Sequence, residues 1–236
     1  MRLKLTIEYD GTGFRGWARQ PGERTVEGEL RRALRELYRA GELVVAGRTD
    51  TGVHALANVV SVDVEGGPPP QRAVAAINTR LPRDIAVSRV EPVRNDFHAR
   101  YDARTRSYRY RVWRRPNRSA LEARRSLWYP RPLDLEGLNE NAQSLLGEHD
   151  FRAFTPAETQ HRVFLRTIAS ARWTELDENV IAFEITADSF LRHMVRTLVG
   201  SMLQGRDLGP LITGRPRADA GATAPSHGLY LVQVTY

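Results

Sequence analysis

The chain has 236 residues, a formal net charge of +7, 41% hydrophobic residues and no cysteine. The lack of cysteine excludes disulfides, thiolate metal sites and a cysteine nucleophile, and it suits a reducing compartment. No apolar run reaches the roughly 18 residues of a membrane span, and the N-terminus leads into a strand pattern rather than a signal peptide. We therefore expect a cytoplasmic protein without membrane association.

The first hundred residues are predicted to alternate strand, helix, strand, helix, strand. Alternating polar and apolar residues predict strands at 2–9, 57–65 and 84–93. A capping Thr25 followed by an apolar stripe predicts a helix at 26–40. Pro70 can begin a second helix that runs through Ile77.

The remaining residues repeat this rhythm. Strand patterns occupy 104–114, 164–174, 179–187 and 228–236. Helices are predicted at 133–147, at 189–205 with Ser189 as cap and Gly205 as stop, and near 207–213. We predict an α+β fold of two related halves, 1–102 and 103–236, which share a central, largely antiparallel β-sheet flanked by helices.

Positive charge is concentrated in residues 94–131. This segment holds twelve arginines and three acidic residues, a net charge of +9, so the rest of the chain carries −2. Seven aromatic residues interleave the arginines: Phe97, Tyr101, Tyr108, Tyr110, Trp113, Trp128 and Tyr129. Lys4 is the only lysine, and a general replacement of lysine by arginine explains the total but not its placement. Because arginine binds phosphate and stacks on bases, the segment predicts a nucleic-acid partner.

The stretch GTGFRG at 11–16 matches the glycine pattern of dinucleotide-binding loops. That function needs a helix that opens at the glycines, and Pro21 and Gly22 interrupt any such helix. We therefore expect that the GTGFRG stretch does not bind a nucleotide. The loop that carries Arg15 and Trp17 either contacts RNA or is a plain surface loop.

Asp50 is the strongest local candidate for chemistry. It lies in GRTDTGVHA at 47–55, where glycines at 47 and 52 permit unusual backbone angles and close approach of another chain. An aspartate in a turn is ordinarily a cap or a turn former, but these neighbours favour an elbow that aims one carboxylate into a groove. A single carboxylate can act as nucleophile or base at a sugar carbon. It cannot hold the two metals of a nuclease.

The chain resembles a known family. The stretch AGRTDTGVHA at 46–55 is similar to the signature of the tRNA pseudouridine synthase A family. Similar blocks follow the family order: YDGTGFRGW at 9–17, NDFHAR at 95–100, RSYRY at 106–110, FLRHMVR at 190–196 and GLYLV at 228–232. Together they cover nearly the whole chain. Thr51, where the family often has alanine, is a small departure.

The resemblance implies the pseudouridine synthase fold and isomerisation of uridine to pseudouridine at positions 38, 39 and 40 of the tRNA anticodon stem-loop. It also implies a homodimer that uses no cofactor and no metal. Asp50 matches the catalytic aspartate, Tyr108 the tyrosine that stacks on the target base, Arg196 the basic partner of the aspartate, and Leu229 an apolar residue of the pocket. Arg48 either contacts phosphate or positions the elbow.

Each of these roles competes with a structural alternative. Tyr108 and Leu229 could be core residues, and Arg196 could be a surface charge. At the level of the whole chain, the main alternative is a non-catalytic RNA-binding protein or RNA chaperone, which would keep the basic segment and not need Asp50. A metal-dependent nuclease is a third possibility.

Overall fold

The computed structural model describes residues 1–236 and contains four α-helices and eleven β-strands. Most strand pairs are antiparallel, which confirms the α+β class and the largely antiparallel pairing. The chain forms two compact units, Met1–Arg104 with Tyr230–Tyr236 (unit 1) and Thr105–Leu229 (unit 2). None of the helices has the length and apolar character that a membrane span requires.

Unit 1 is built on four main strands. They are β1 (Arg2–Tyr9), β4 (His54–Glu65), β5 (Ile85–Val93) and β11 (Leu229–Thr235), in the order β5-β1-β4-β11. The short strands β2 (Arg39–Ala40) and β3 (Val44–Val45) pair with β4. β1 runs antiparallel to both of its neighbours, whereas β11 joins β4 in parallel with Tyr230 opposite His54.

The helices of unit 1 follow from their caps. α1 (Val26–Arg35) begins after Thr25, whose side chain accepts a hydrogen bond from the Gly28 amide, as predicted. The predicted extension to residue 40 is wrong because Arg39 and Ala40 pair with β4 as a strand. α2 (Pro70–Asn78) has proline in its first turn, as predicted.

Unit 2 has an antiparallel series in the order β6-β10-β9-β8. The strands are β6 (Thr105–Trp113), β8 (Gly147–Asp150), β9 (Leu165–Asp177) and β10 (Val180–Ala187), with the short β7 (Leu127–Trp128) parallel to β6. α3 (Leu135–Gln143) is shorter than predicted, and Gly147, expected to end it, begins β8 with φ +93°. The predicted short helix near 207–213 is a 3₁₀ turn at Gly209–Ile212.

The last helix, α4 (Met194–Leu203), begins five residues later than predicted. Its N-cap is His193 rather than Ser189, and His193 has φ 63°, the only positive φ outside glycine. A left-handed residue cannot continue a right-handed helix, so residues 189–193 form an irregular connection from β10. In that connection Phe190 packs on Tyr108 of β6. Gly205, with φ +70°, lies just beyond the helix end, in agreement with the prediction.

Candidate active site

The loop that carries Asp50 connects β3 to β4 in unit 1. Thr49 is buried, Asp50 is half-buried and Arg48 is exposed. The Val53 amide donates to the Asp50 carbonyl over 3.1 Å, which closes a tight turn, and Gly52 adopts φ +77° within it. Gly52 therefore meets the sequence expectation of a backbone angle that favours glycine. Gly47 has no positive φ, so the expectation does not hold there.

A buried hydrogen-bond network that includes Tyr9, Thr49 and Asn58 holds this loop in place. The Tyr9 hydroxyl lies 2.8 Å from Thr49 Oγ1. Asn58 Nδ2 donates to the Tyr9 hydroxyl over 3.1 Å and to the Gly47 carbonyl over 2.9 Å. Because the Tyr9 oxygen accepts from Asn58, its own hydrogen can be donated to Thr49. The network therefore fixes the chain on both sides of Arg48 and immediately before Asp50.

Backbone contacts with Gly16 and Trp17 also hold this loop. The Trp17 amide donates to the Thr49 carbonyl over 2.9 Å. Gly16 has φ +85°, and a Cβ on it would lie 2.9 Å from that carbonyl oxygen. Only glycine allows this close approach. The Asp50 turn is therefore preorganised by a neighbouring segment as well as by its own glycine.

The GTGFRG stretch has a structural role in this arrangement. It forms a 3₁₀ turn at Gly11–Gly13 and opens no α-helix, the element that a dinucleotide-binding loop needs. The Gly11 amide donates to His54 Nδ1 over 3.1 Å. Trp17 is only 2% exposed. For that residue the expectation of a surface or RNA-contacting position is wrong, because its ring lies in the core.

Tyr9 gives a stability test of the network. Tyr9→Phe removes the hydroxyl between Thr49 and Asn58 and should lower the free energy of unfolding by about 1–2 kcal/mol at neutral pH. Burial raises the pKa of Tyr9 to about 12, so the wild-type protein should lose stability as pH rises from 10 to 12. The Phe variant lacks this titration, and the difference should shrink over that range. Urea unfolding of both proteins at several pH values measures the difference in their free energies of unfolding. A difference that stays constant from pH 10 to 12 would contradict the buried position of the Tyr9 hydroxyl in this network.

In unit 2, Tyr108 lies on the buried face of β6. Side chains of this strand alternate, and those of Arg106, Tyr108, Tyr110 and Val112 are buried. The Tyr108 ring meets Phe190 edge-on, with centroids 5.0 Å apart and planes at 81°. Tyr108 is 8% exposed. A base that stacks on it must therefore displace some of its present neighbours.

Arg196 lies in the first turn of α4 and is half-buried. Its Nε donates to the Ala224 carbonyl over 2.8 Å, and the Ala224 amide donates back to the Arg196 carbonyl over 3.0 Å. Burial raises the pKa of Tyr110, and the charge of Arg196 opposes this rise, which places the guanidinium within electrostatic range of that ring. The paired contacts with Ala224 fix the direction of the guanidinium, which a simple surface charge would not need.

Close packing around glycines sets the position of α4 in unit 2. A Cβ on Gly200 would lie 1.8 Å from the Ala222 carbonyl oxygen, and one on Gly228 would lie 2.8 Å from the Tyr110 ring. Leu229 follows directly as the first residue of β11 and is 6% exposed. These contacts place Leu229 in a packed environment, as both of its predicted roles require.

The basic segment divides into paired and exposed arginines. Arg109 forms an ion pair with Glu184 at 2.8 Å, and Arg111 forms one with Glu122 at 3.0 Å, both partly buried. Within residues 115–131, called the basic loop here, five arginines are exposed: Arg115, Arg118, Arg124, Arg125 and Arg131. The only carboxylate in the basic loop is Glu122, which already binds Arg111. With five arginines and one glutamate, this loop carries a net charge of +4.

Sequence reasoning missed the Tyr9–Thr49–Asn58 network. A signal was available, since Asn58 and Ser61 are polar residues within an otherwise apolar run of β4, and both are fully buried. A buried amide must find hydrogen-bond partners. An asparagine in such a position therefore indicates a specific polar contact.

No group of three or more His, Asp or Glu side chains in the chain could hold a metal ion.

Comparison with known proteins gives a consistent result. A sequence model of a family described as tRNA pseudouridine synthase matches residues 5–102 and 141–236. The tRNA pseudouridine synthase A of Methylococcus capsulatus is 42% identical over 244 residues, covering 100% of this chain and 90% of its own. That of Thermus thermophilus is 44% identical, with 100% and 96% covered. That of Acetivibrio thermocellus is 38% identical, with 99% of each covered.

Proposed function

The chain belongs to the tRNA pseudouridine synthase family, and from this premise we propose that it isomerises uridine to pseudouridine in tRNA. Its proposed targets are positions 38, 39 and 40 of the anticodon stem-loop. The observation that carries the proposal is the match of relatives with this activity in their name across essentially the full chain. The chain is accordingly an isomerase.

The reaction breaks the bond between N1 of uracil and C1′ of the ribose, turns the base and forms a new bond from C5 to C1′. The hydrogen lost from C5 is balanced by one gained at the released nitrogen. The change is redox-neutral and transfers no outside group, so it requires no redox cofactor and no group donor. One carboxylate can carry it out by attacking the sugar, by abstracting a sugar proton or by adding to the base.

Asp50 is the proposed catalytic residue. Its half-buried carboxylate lies on a turn whose backbone is fixed by Tyr9, Asn58 and Trp17. Preorganisation matters here because a catalytic group that is already in place does not have to be ordered during the reaction. Arg48 precedes it on the same loop and is exposed, so we propose that it contacts a phosphate of the RNA.

Three residues of unit 2 have further proposed roles. Tyr108 stacks on the target base, Arg196 supports the charge of Asp50, and Leu229 packs in the pocket. The target base must leave its stack at a cost of a few kcal/mol, and an aromatic face recovers roughly 1–3 kcal/mol of this. The edge contact between Phe190 and Tyr108 supports the assignment because it fixes the plane of the receiving ring.

Two further features belong to the proposal. The enzyme acts in the cytoplasm, where its tRNA substrate is found, and it works as a homodimer. The dimer would be tested by light scattering of the purified protein with and without tRNA. A monomer under both conditions would contradict this part of the proposal and leave the activity untouched.

The function itself is tested by incubating the purified protein with unmodified tRNA and mapping pseudouridine by chemical labelling. We expect modification at positions 38 to 40 and at no other uridine. If the protein binds the tRNA but forms no pseudouridine, the alternative of a non-catalytic RNA-binding protein or chaperone is favoured. Strand cleavage that stops with a chelator would favour a nuclease.

The basic loop is expected to supply much of the RNA affinity. If the protein contacts about five phosphates, log affinity should fall with log salt at a slope of roughly −3.5 to −4.5. Replacing both Arg118 and Arg124 by glutamine should make the slope shallower by about 1.5. Arg89→Gln is the matched control, since Arg89 is exposed on β5 and pairs with Glu91. Filter binding across a salt series measures all three, and an unchanged slope in the double variant would contradict the role.

A further inference from the structure

The segment between β5 and β6 (residues 94–104) carries an exposed aromatic ring that the proposed reaction does not use. Phe97 and Ala99 anchor the segment, since both are buried in a cluster with Ala46 and Val59. The Ala99 amide also donates to Ser61 Oγ over 3.2 Å. Side chains between and after these anchors face outwards, and Tyr101 is 75% exposed.

Tyr101 is held in place although it is exposed. Its ring stacks on the His98 imidazole, with centroids 4.2 Å apart and planes at 23°. His98 Nδ1 accepts hydrogen bonds from the Arg100 amide at 3.3 Å and from the Tyr101 amide at 3.1 Å. Nδ1 therefore carries no hydrogen, and the two amides fix the plane of the imidazole beneath the tyrosine ring.

A carboxylate closes the base of this turn. Asp102 Oδ2 accepts from the His98 amide at 3.1 Å and from Arg94 Nη2 at 3.0 Å. The hydrogen bond from the His98 amide, followed by Arg94, lowers the pKa of Asp102. The closure therefore persists over the physiological pH range. The segment is rigid at the point where it exposes its ring.

We infer that Tyr101, supported by His98, is a second stacking platform that takes an unpaired or splayed base of the substrate RNA. This inference rests on the proposed function and names a contact outside the target uridine. Aromatic rings bind bases through their faces whatever the base sequence. A ring that is already fixed loses little side-chain entropy when a base arrives. The Arg100 guanidinium lies 5.7 Å from the centroid of the Tyr101 ring, where it adds positive charge for an adjacent phosphate.

The other occupant to consider is a second copy of the chain, because exposed aromatic rings also occur at protein interfaces. The charge beside the ring favours RNA. Both acidic residues of the segment, Asp96 and Asp102, pair with Arg94. Arg100 and Arg104 of the same segment are exposed, so the same surface on a second copy would repel it. Neutral stacking beside positive charge is the combination found in proteins that bind single-stranded nucleic acid.

The test uses the full chain, an unmodified full-length tRNA transcript and two variants, Tyr101→Leu and Tyr101→Phe. Leucine is apolar but has no planar face, whereas phenylalanine keeps the ring and loses only the hydroxyl. We expect Tyr101→Leu to raise the Kd for tRNA by roughly 5-fold to 150-fold and Tyr101→Phe to leave it within about twofold. The single-turnover rate at saturating tRNA should be unchanged in both.

Salt dependence and mass separate the platform from other roles. Tyr101→Leu should keep the wild-type slope of log affinity against log salt, because a stacked base releases no counterion, whereas Arg100→Gln should make it shallower by about 0.7–0.9. A Tyr101→Leu protein with wild-type affinity would overturn the inference, as would a change in its oligomeric mass. If the wild-type protein binds tRNA but forms no pseudouridine, the proposed function fails while the affinity comparison still decides the platform.

Discussion

Asp50→Asn is expected to reduce single-turnover pseudouridine formation by at least about 10⁴-fold, because the amide can neither attack the sugar nor accept a proton. The Kd for tRNA should stay within about threefold of the wild-type value. Asparagine is nearly isosteric with aspartate, so the turn closed by the Val53 amide and the Asp50 carbonyl should persist. The measurement is pseudouridine formed per enzyme under single-turnover conditions, with binding by filter retention.

Asp10→Asn provides the matched control for this experiment. Asp10 is a partly exposed carboxylate of the same unit that accepts a hydrogen bond from the Thr12 amide, and an asparagine oxygen can do the same. Its rate should change by less than about tenfold. An Asp50→Asn protein with comparable activity would show that the carboxylate at position 50 is not needed. The RNA-binding alternative would then be favoured.

Regular patterning made much of the fold predictable. The alternation in β1 and β6 follows from side chains that point to opposite faces of a strand, and the structure buries every second residue in both. The start of α1 follows from one cap, Thr25. The two-residue strands β2, β3 and β7 were not predicted, because segments of that length contain no period and form only through pairing with a longer neighbour.

The start of α4 was predicted wrongly for a related reason. The apolar residues Phe190 and Leu191 extend the helical pattern upstream, but they are apolar because they pack in the unit before the helix begins. Periodicity cannot distinguish these two causes of burial. The left-handed conformation of His193, which ends the connection, is uncommon outside glycine, and the apolar pattern around it continues without a break.

The turn that carries Asp50 was predictable from the sequence, but the contacts that support it were not. The turn was identified from the single carboxylate of Asp50 close to Gly52. Gly52 adopts a positive φ in the structure. The side chain that fixes the turn, Asn58, lies on β4 and reaches Tyr9 on the neighbouring β1, so the contact depends on the register of the two strands. Register is a long-range property. The same applies to the contact between Arg196 and Ala224, which are 28 residues apart in sequence.

Arg196→Met is expected to slow turnover by roughly a hundredfold at neutral pH, the effect of removing one preorganised electrostatic contact. In the proposed mechanism the positive charge of Arg196 stabilises the carboxylate of Asp50. Without that charge the chemical step should slow while the RNA is still bound. Affinity for tRNA should change by no more than the loss of a single phosphate contact.

The structure adds a local cost to this substitution. Methionine cannot donate to the Ala224 carbonyl, which Arg196 Nε now reaches over 2.8 Å, so the free energy of unfolding should fall by about 0.5–1.5 kcal/mol. A purely structural role would lower stability and activity together in every variant that loses the contact with Ala224. Arg196→Lys separates these effects, because lysine keeps the charge but not the planar, directed Nε donor. The expected order of rates is wild type, then Lys, then Met, although the Lys and Met variants should lose similar stability. Single-turnover rates, measured beside urea unfolding, decide the point: a Lys variant as slow as the Met variant would mean that Arg196 holds the fold of unit 2 rather than the charge of Asp50.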